Sequence, residues 1–278
     1  MKRIALLLAA TAFSAPAFAA DVIYDEPAAP VVLAPVESGW TGLYLGLQGG
    51  GAFNPSSPDR QGIFTSFGDT VANFPAGSIS GAFGNNFDSS FDSGFVGGAH
   101  VGYDVQFDRF VVGGILDINA TDIAMSQSSF SNTPAFYTIE RDLDYVATAR
   151  LRAGYLITPT VLAYATGGAA YGEVGYSFTT DSPAATPANP AVVFKDEDHW
   201  GYSVGGGMEL KITENLSFGT EYLYTNMGGG DSVTRLNGGP FDGNAAPGVT
   251  VDGEFTDFTS PGDFDFHTIT AKLSYRFN

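Results

Sequence analysis

The sequence predicts an all-β chain: one eight-stranded antiparallel transmembrane β-barrel with short periplasmic turns and long extracellular loops. Three observations predict it. Period-two alternation runs through eight segments long enough to cross a bilayer, short and long connections strictly alternate, and an export leader precedes them.

The leader comes first. Lys2 and Arg3 form a basic start, Ile4 to Phe13 an apolar stretch, and Ala17-Phe18-Ala19 a small-x-small cleavage site. The apolar run is shorter than the roughly 20 residues a helix needs to span a bilayer. Residues 1–19 are therefore expected to be a signal peptide, cleaved after Ala19 or Ala20. Residues 20–39, with Pro27, Pro30 and Pro35, oppose both helix and central strand and read as a periplasmic Pro/Ala-rich tether. Residues 40–278 are left for the barrel. The expected location is the outer membrane of a Gram-negative bacterium.

Composition excludes several function classes. The chain has no cysteine, so neither a disulfide framework nor a thiolate site exists. Its formal charge is −18, and losing Lys2 and Arg3 with the leader makes it −20. Nucleic acid, which needs a basic surface to displace counterions, is not an expected partner.

The strands are expected near 41–53, 93–107, 110–121, 143–156, 161–178, 199–212, 216–227 and 264–277. In the second, Phe95, Gly97, Ala99, Val101, Tyr103, Val105 and Phe107 share one face, and His100, Gly102, Asp104 and Gln106 share the other. The fourth sets Tyr145, Ala147, Ala149 and Leu151 against Asp144, Thr148, Arg150 and Arg152. In the sixth, Trp200, Tyr202, Val204, Met208 and Leu210 oppose Ser203, Glu209 and Lys211. The eighth sets Ile269, Ala271, Leu273, Tyr275 and Phe277 against Lys272, Ser274 and Arg276. In the fifth, the Ala163-to-Ala169 run leaves the register of the faces open.

Asp108-Arg109, Ile157 to Thr160 and Thr213 to Asn215 make the short turns. Segments 54–92, 122–142, 179–198 and 228–263 make the long loops. A soluble lipocalin-like barrel would put its apolar residues inside and its charges outside. Here charges interleave with glycines on one face while aromatics gather at the ends of the other, as in the interfacial girdles of a membrane barrel.

The charged face should line the lumen. Asp104, Asp117, Asp144, Arg150, Arg152, Glu209, Lys211, Glu221, Lys272 and Arg276 are expected to form a charge network there. Asp117 with Arg150, and Glu221 with Lys272, lie at matching depth on adjacent strands. Loss of Arg150 is expected to destabilise the barrel and to open a leak. Gly102, facing inward, is expected to tolerate serine.

Several segments carry a family resemblance. Trp40-Thr41-Gly42-Leu43-Tyr44-Leu45-Gly46, Gly102-Tyr103, Arg150-Leu151-Arg152-Ala153-Gly154-Tyr155, Tyr164-Ala165-Thr166-Gly167-Gly168, Glu221-Tyr222-Leu223-Tyr224 and the terminal Leu273-Ser274-Tyr275-Arg276-Phe277 resemble alphaproteobacterial porin-family small outer-membrane proteins. The resemblance implies an OmpA-like eight-stranded barrel of the surface-antigen type, and some such proteins bind haemin. It also implies that Leu273, Tyr275 and Phe277 form the C-terminal signal read by the assembly machinery. Asn278 after Phe277 departs from the usual aromatic terminus.

No constellation for catalysis converges. His100, His199 and His267 lie on three different strands, the first two expected in the lumen and the third facing outward. His199 as an axial haem ligand is one reading, a solvated rim histidine the other. Gly205-Gly206-Gly207 and Gly228-Gly229-Gly230 precede no helix and are not phosphate loops. Carboxylates of the outer loops, Asp196-Glu197-Asp198, Asp252, Glu254, Asp257, Asp263 and Asp265, suit divalent cations shared with lipopolysaccharide phosphates, or simply a solvated surface. The expected function is a non-enzymatic structural barrel without cofactor, contributing to envelope integrity and surface properties. Its expected partners are outer-membrane lipids and lipopolysaccharide, with periplasmic chaperones and the barrel-assembly machinery during biogenesis. A narrow diffusion channel is the alternative, and a loop-borne receptor or haem binder the third reading.

Overall fold

The computed structural model describes residues 39–55, 64–67, 86–131, 134–183, 185–194, 198–228, 232–236, 256–260 and 263–277. The expected leader and most of the tether, and Asn278, lie outside the described residues. Eight strands form a closed antiparallel ring. They are β1 (Gly42–Phe53), β4 (Gly94–Phe107), β5 (Phe110–Ser131), β6 (Ala135–Thr158), β7 (Val161–Thr180), β9 (Asp198–Lys211), β10 (Leu216–Asn226) and β13 (Asp265–Phe277). Each pairs with the next in that order, and β13 closes on β1 with Leu43 opposite Phe277 and Phe53 opposite His267. Closure matters because every backbone group facing lipid must find its partner within the wall. No edge is left in the span.

The alternation in the sequence becomes the two surfaces of that wall. Leu45, Leu47, Val101, Leu116, Ile118, Leu151, Val204, Met208 and Ile269 are exposed, although each is large and apolar. The polar residues between them are buried. This inversion of the soluble pattern is what a hydrocarbon solvent demands. Aromatic contacts cluster at the two rims: Phe110 with Tyr155 (5.4 Å between ring centres) and Tyr275 with Phe277 (5.1 Å) at the turn end, Tyr171 with Trp200 (5.1 Å) at the loop end. In β7 the structure fixes the register that alternation left open: Leu162, Tyr164 and Thr166 point inward.

The turn end is tight. Asp108 adopts φ 54°, the left-handed conformation that Asp tolerates better than most residues, and joins β4 to β5 with Arg109 alone. The loop end departs from expectation. Segment 122–142 is not a loop, because β5 and β6 continue as a hairpin beyond the membrane level, paired out to Ser131 and Ala135. Inward alternation persists through Ile123, Met125, Gln127 and Ser129, and β-sheet pairing satisfies the backbone better than an irregular path. Above the barrel the remaining connections contribute β2 (Phe64–Phe67), β3 (Phe87–Asp92), β8 (Val192–Phe194), β11 (Ser232–Leu236) and β12 (Thr256–Ser260). β3 pairs with β5, while the other four form a small antiparallel sheet in the order β2-β12-β11-β8. Leu236 and Phe258 of that sheet pack with Tyr137 and Ile139 of the hairpin. The surface is thus built from folded strands as well as loops.

Candidate functional site: the barrel lumen

The lumen is a stack of layers. At the turn end Trp40, which precedes β1, lies across the axis with none of its surface exposed and packs with Val111, Leu156 and Leu162. Its backbone N–H donates to Gln106 Oε1 (2.8 Å), its indole Nε1 to the Pro159 carbonyl (3.1 Å), and its own carbonyl accepts from Arg276 Nη1 (2.6 Å). Lys211 and Arg276 sit over its ring at 5.0 and 5.5 Å, and Lys211 Nζ donates to the Gly39 carbonyl (2.8 Å). The residue is held by polar contacts on its rim and by cations on its face.

Above it come two tiers of ion pairs. In the lower, Arg276 bonds Asp104 (2.9 Å) and Arg152 bonds Glu209 (2.6 Å), with Arg152 also 3.7 Å from Asp104. Ser217 donates to the second oxygen of Glu209 (2.6 Å). Tyr44 and Tyr164 separate the cations: Arg152 lies 4.2 Å from the centre of the Tyr164 ring, and Arg276 4.6 Å from that of Tyr44. In the upper tier Arg150 bridges Asp117 (2.6 Å) and Glu221 (3.1 Å), and Lys272 reaches Glu221 as well (3.0 Å). Thr148 donates to Asp117 and Tyr164 to Glu221, so both carboxylates carry neutral donors beside their cations. Four cations meet four anions. Removing charges from water is tolerable only with pairing of this kind, although Asp104 Oδ1, Arg150 Nη1 and Arg152 Nε have no hydrogen-bond partner within the protein.

A polar ring follows, where Gln48 Nε2 donates to Asn119 Oδ1 (2.5 Å) and Asn119 Nδ2 to Asp117 Oδ1 (2.7 Å). A void of about 20 Å³ beside these residues has room for roughly one water. Beyond it lies a cluster of buried apolar side chains, among them Val96, Ile123, Leu143, Val174, Met227 and Phe266. Outermost, Tyr176 hydroxyl and His199 Nε2 lie 3.0 Å apart, and Arg141 covers the Tyr176 ring at 5.6 Å.

Of the sequence-selected lumen residues, Asp104, Asp117, Arg150, Arg152, Glu209, Lys211, Glu221, Lys272 and Arg276 are buried inside the barrel. Asp144 is not. It is exposed on the outer wall, a correction that a β-bulge explains. β6 slips register between Leu143 and Val146, so inward positions change from odd numbers to even across residues 144 and 145. Uniform alternation carried down from Arg150 therefore points Asp144 the wrong way. Gly102 needs a second correction. A Cβ there would stand 2.3 Å from the Tyr44 ring, so serine is not tolerated without moving a buried tyrosine. His100 and His199 lie in the lumen, and His100 Nε2 is 2.8 Å from Ser274 Oγ. His267 faces outward, its Nδ1 2.5 Å from the Tyr222 hydroxyl. Leu273, Tyr275 and Phe277 project outward from the closing strand.

The contacts of Trp40 escaped sequence reading. Trp40 shares the even parity of the inward positions Tyr44 and Ala52, but parity alone does not name what it packs against. Tyr44 and Gln48, the two polar side chains of β1, share the even parity opposite its exposed leucines. Among the described residues no group of three or more His, Asp or Glu side chains is placed to hold a metal ion. Outside the span, Asp257 pairs with Arg235 through two bonds of 2.7 Å, which hold the guanidinium pKa above its ordinary value. Asp263 accepts from Asn226 (2.8 Å). Asp196, Glu197, Asp252 and Glu254 lie outside the described residues.

Comparison with known proteins decides the family. The model of the outer membrane protein beta-barrel domain matches residues 5–277. This chain belongs to that family. Its location is accordingly the outer membrane, and its wall is lipid-facing. Among relatives in this family, the 31 kDa outer-membrane immunogenic protein of Brucella melitensis is 30% identical over 279 residues, covering 100% of both chains. The 25 kDa outer-membrane immunogenic protein of Brucella abortus is 28% identical over 220 residues, 78% of this chain and 79% of that one. The solved structure of Ail, the attachment invasion locus protein of Yersinia pestis, aligns over 85% of this chain and 99% of its own at 11% identity and a TM-score of 0.31.

Proposed function

We propose that this outer-membrane barrel is a structural protein without enzymatic activity, its lumen closed to solutes, contributing to envelope integrity and carrying a folded surface structure above the membrane. The observation that supports this reading most is the stacking order inside the barrel. Two tiers of paired charges lie between the Trp40 layer on one side and an apolar layer on the other. A diffusion channel would instead line its axis with solvated charges, each free to release a passing solute.

The surface role rests on the hairpin of β5 and β6 and the small sheet packed on it, together with relatives whose names describe immunogenic outer-membrane proteins. Leu273, Tyr275 and Phe277 fit the role of assembly signal, since they stand on the outer face of the strand that closes the ring. Lipopolysaccharide and the assembly machinery are the partners this reading requires. Planar-bilayer recording from purified, refolded protein tests the closed lumen. Long silent baselines are expected. Large, steady openings in the wild type would replace this reading with that of a narrow channel.

A further inference from the structure

Beyond the membrane level the wall continues as a four-stranded antiparallel sheet, β3-β5-β6-β7. Strand register lays the side chains of its outward side in rows. Outermost, Phe130 stands opposite Phe136 with ring centres 4.7 Å apart, and Phe136 is 54% exposed. Tyr137 and Ile139, of opposite parity on the same strand, are buried against the small sheet. Toward the membrane the rows become small and polar: Ser128 beside Thr138, Ser126 beside Glu140, Ala124 beside Asp142. β3 adds Asp88 next to Ser128 and Asp92 next to Ala124. On the other flank β7 sets Ser177 beside Glu140 and Gly175 beside Asp142. A Cβ on Gly175 would stand 2.5 Å from Asp142 Oδ2, so the missing side chain is the space in which this carboxylate lies over the sheet.

Charge and spacing together say what this face would take. Asp88, Asp92 and Glu140 are exposed and Asp142 half-buried, and none of the four is ion-paired to a described residue. The arginine of this stretch, Arg141, is buried on the opposite side, so among the described residues the outward side carries no cation. Strands lie about 4.8 Å apart and rise about 3.3 Å per residue, which puts Glu140 roughly 7 Å from Asp142 along β6 and Asp92 roughly 10 Å from Asp142 across Ala124. No group of three acidic side chains among the described residues is placed to hold a metal ion, so the counter-charges that fit here are separate ones. A repeat of roughly 7 Å is that of alternate residues in an extended polypeptide. Such a segment can bring one cation to each carboxylate, and the small side chains between them let its backbone approach. We infer that the outward side of β3-β5-β6-β7 is a docking surface for an extended basic segment of another protein, with Lys or Arg at alternate positions and an apolar residue that covers Phe130 and Phe136. The carboxylates steer the segment in, and the phenylalanine pair, the exposed apolar contact of the face, fixes its register. This rests on the hairpin standing outside the membrane and not on whether the lumen conducts.

Fluorescence anisotropy on the full barrel, refolded into uncharged detergent, tests this with a labelled peptide of about ten residues, long enough to cross the face, that alternates arginine and serine and ends in leucine. Saturable binding to the wild type is expected. Glu140→Gln with Asp142→Asn should weaken it roughly tenfold, the scale of two surface ion pairs. Asp88→Asn with Asp92→Asn should act in the same direction, and carries the test should the first pair of changes impair folding. Phe130→Ser with Phe136→Ser should also weaken binding, with no change of charge. Asp108→Asn with Glu214→Gln removes two carboxylates at the turn end and should leave it unchanged. Equal binding by the wild type and both carboxylate variants would overturn the proposal. An equal loss in the turn-end variant would do so too, by reducing the effect to the field of an acidic chain. Binding of the same strength by a peptide of identical composition with its arginines contiguous would refute the alternate spacing. Displacement of the peptide by magnesium, at an ionic strength where sodium has no effect, would make the face a metal site instead.

Discussion

Arg150→Ala tests the interior most directly. The arginine and Asp117 side chains are both fully shielded from solvent, and the guanidinium supplies the ion pair of Asp117 at 2.6 Å. It also donates from Nε to Thr148 (2.8 Å) and bonds Glu221. Truncation affects the two carboxylates unequally. Glu221 keeps Lys272 at 3.0 Å and the Tyr164 hydroxyl at 2.9 Å, whereas Asp117 keeps only the neutral donors Thr148 and Asn119. The cost therefore falls mainly on one stranded buried carboxylate, for which removing a partner costs about 3–5 kcal/mol. That lowers the folded-to-unfolded ratio by roughly a hundredfold to a few thousandfold. Urea titration in phospholipid vesicles, followed by the fluorescence of Trp40 and Trp200, measures it. Replacing both partners, Arg150→Met with Asp117→Leu, should recover part of the loss, because no buried carboxylate is then left without its cation, while Thr148 and Asn119 lose their acceptor. A single-variant loss below about 1 kcal/mol, with no coupling in the cycle, would mean that water screens the tier and would refute a dry interior. On the closed-lumen reading proposed above, the buried clusters on either side of Arg150 mean that its removal should weaken the barrel without opening it, and planar-bilayer recording from the variant checks this.

Four further outcomes follow from the geometry. Trp40→Ala should destabilise the barrel by about 3–5 kcal/mol and expose Lys211 and Arg276 to solvent, read by urea titration and by proton exchange at the turn end. Val101→Arg, on the lipid face near the midplane, should cost about 2–4 kcal/mol in the same titration, and a neutral result would invert the register. Gly102→Ser should cost about 1–3 kcal/mol through overpacking against Tyr44, where a neutral result would mean that the tyrosine can turn aside. Protease added to intact cells should cut within 54–92 or 228–263 and spare Asp108-Arg109; cleavage at that turn would reverse the orientation in the membrane.

The amino-acid sequence by itself determined the architecture, because a membrane barrel writes its two solvents into the chain. Residues at Val101, Leu151 and Ile269 meet hydrocarbon while His100, Arg150 and Lys272 meet the interior, and period two records that division residue by residue. Alternating short and long connections determined the strand count. The same parity placed most of the lumen charges, since Asp117 and Arg150, or Glu221 and Lys272, need only face inward at equal depth to be near one another. What parity does not contain is any event that breaks it. The slip in β6 moved Asp144 to the outer wall, and nothing local to Asp144-Tyr145 announces a bulge, because it arises from accommodating two neighbouring strands at once. Side-chain reach is likewise invisible: Gly102 looked like free space until Tyr44 was seen to fill it from the next strand. Trp40 keeps the inward parity of β1, but its contacts with Gln106, Pro159 and Arg276 exist only because ring closure brings those residues together. Periodicity reports which solvent a residue faces; packing across a closed ring decides what it touches there.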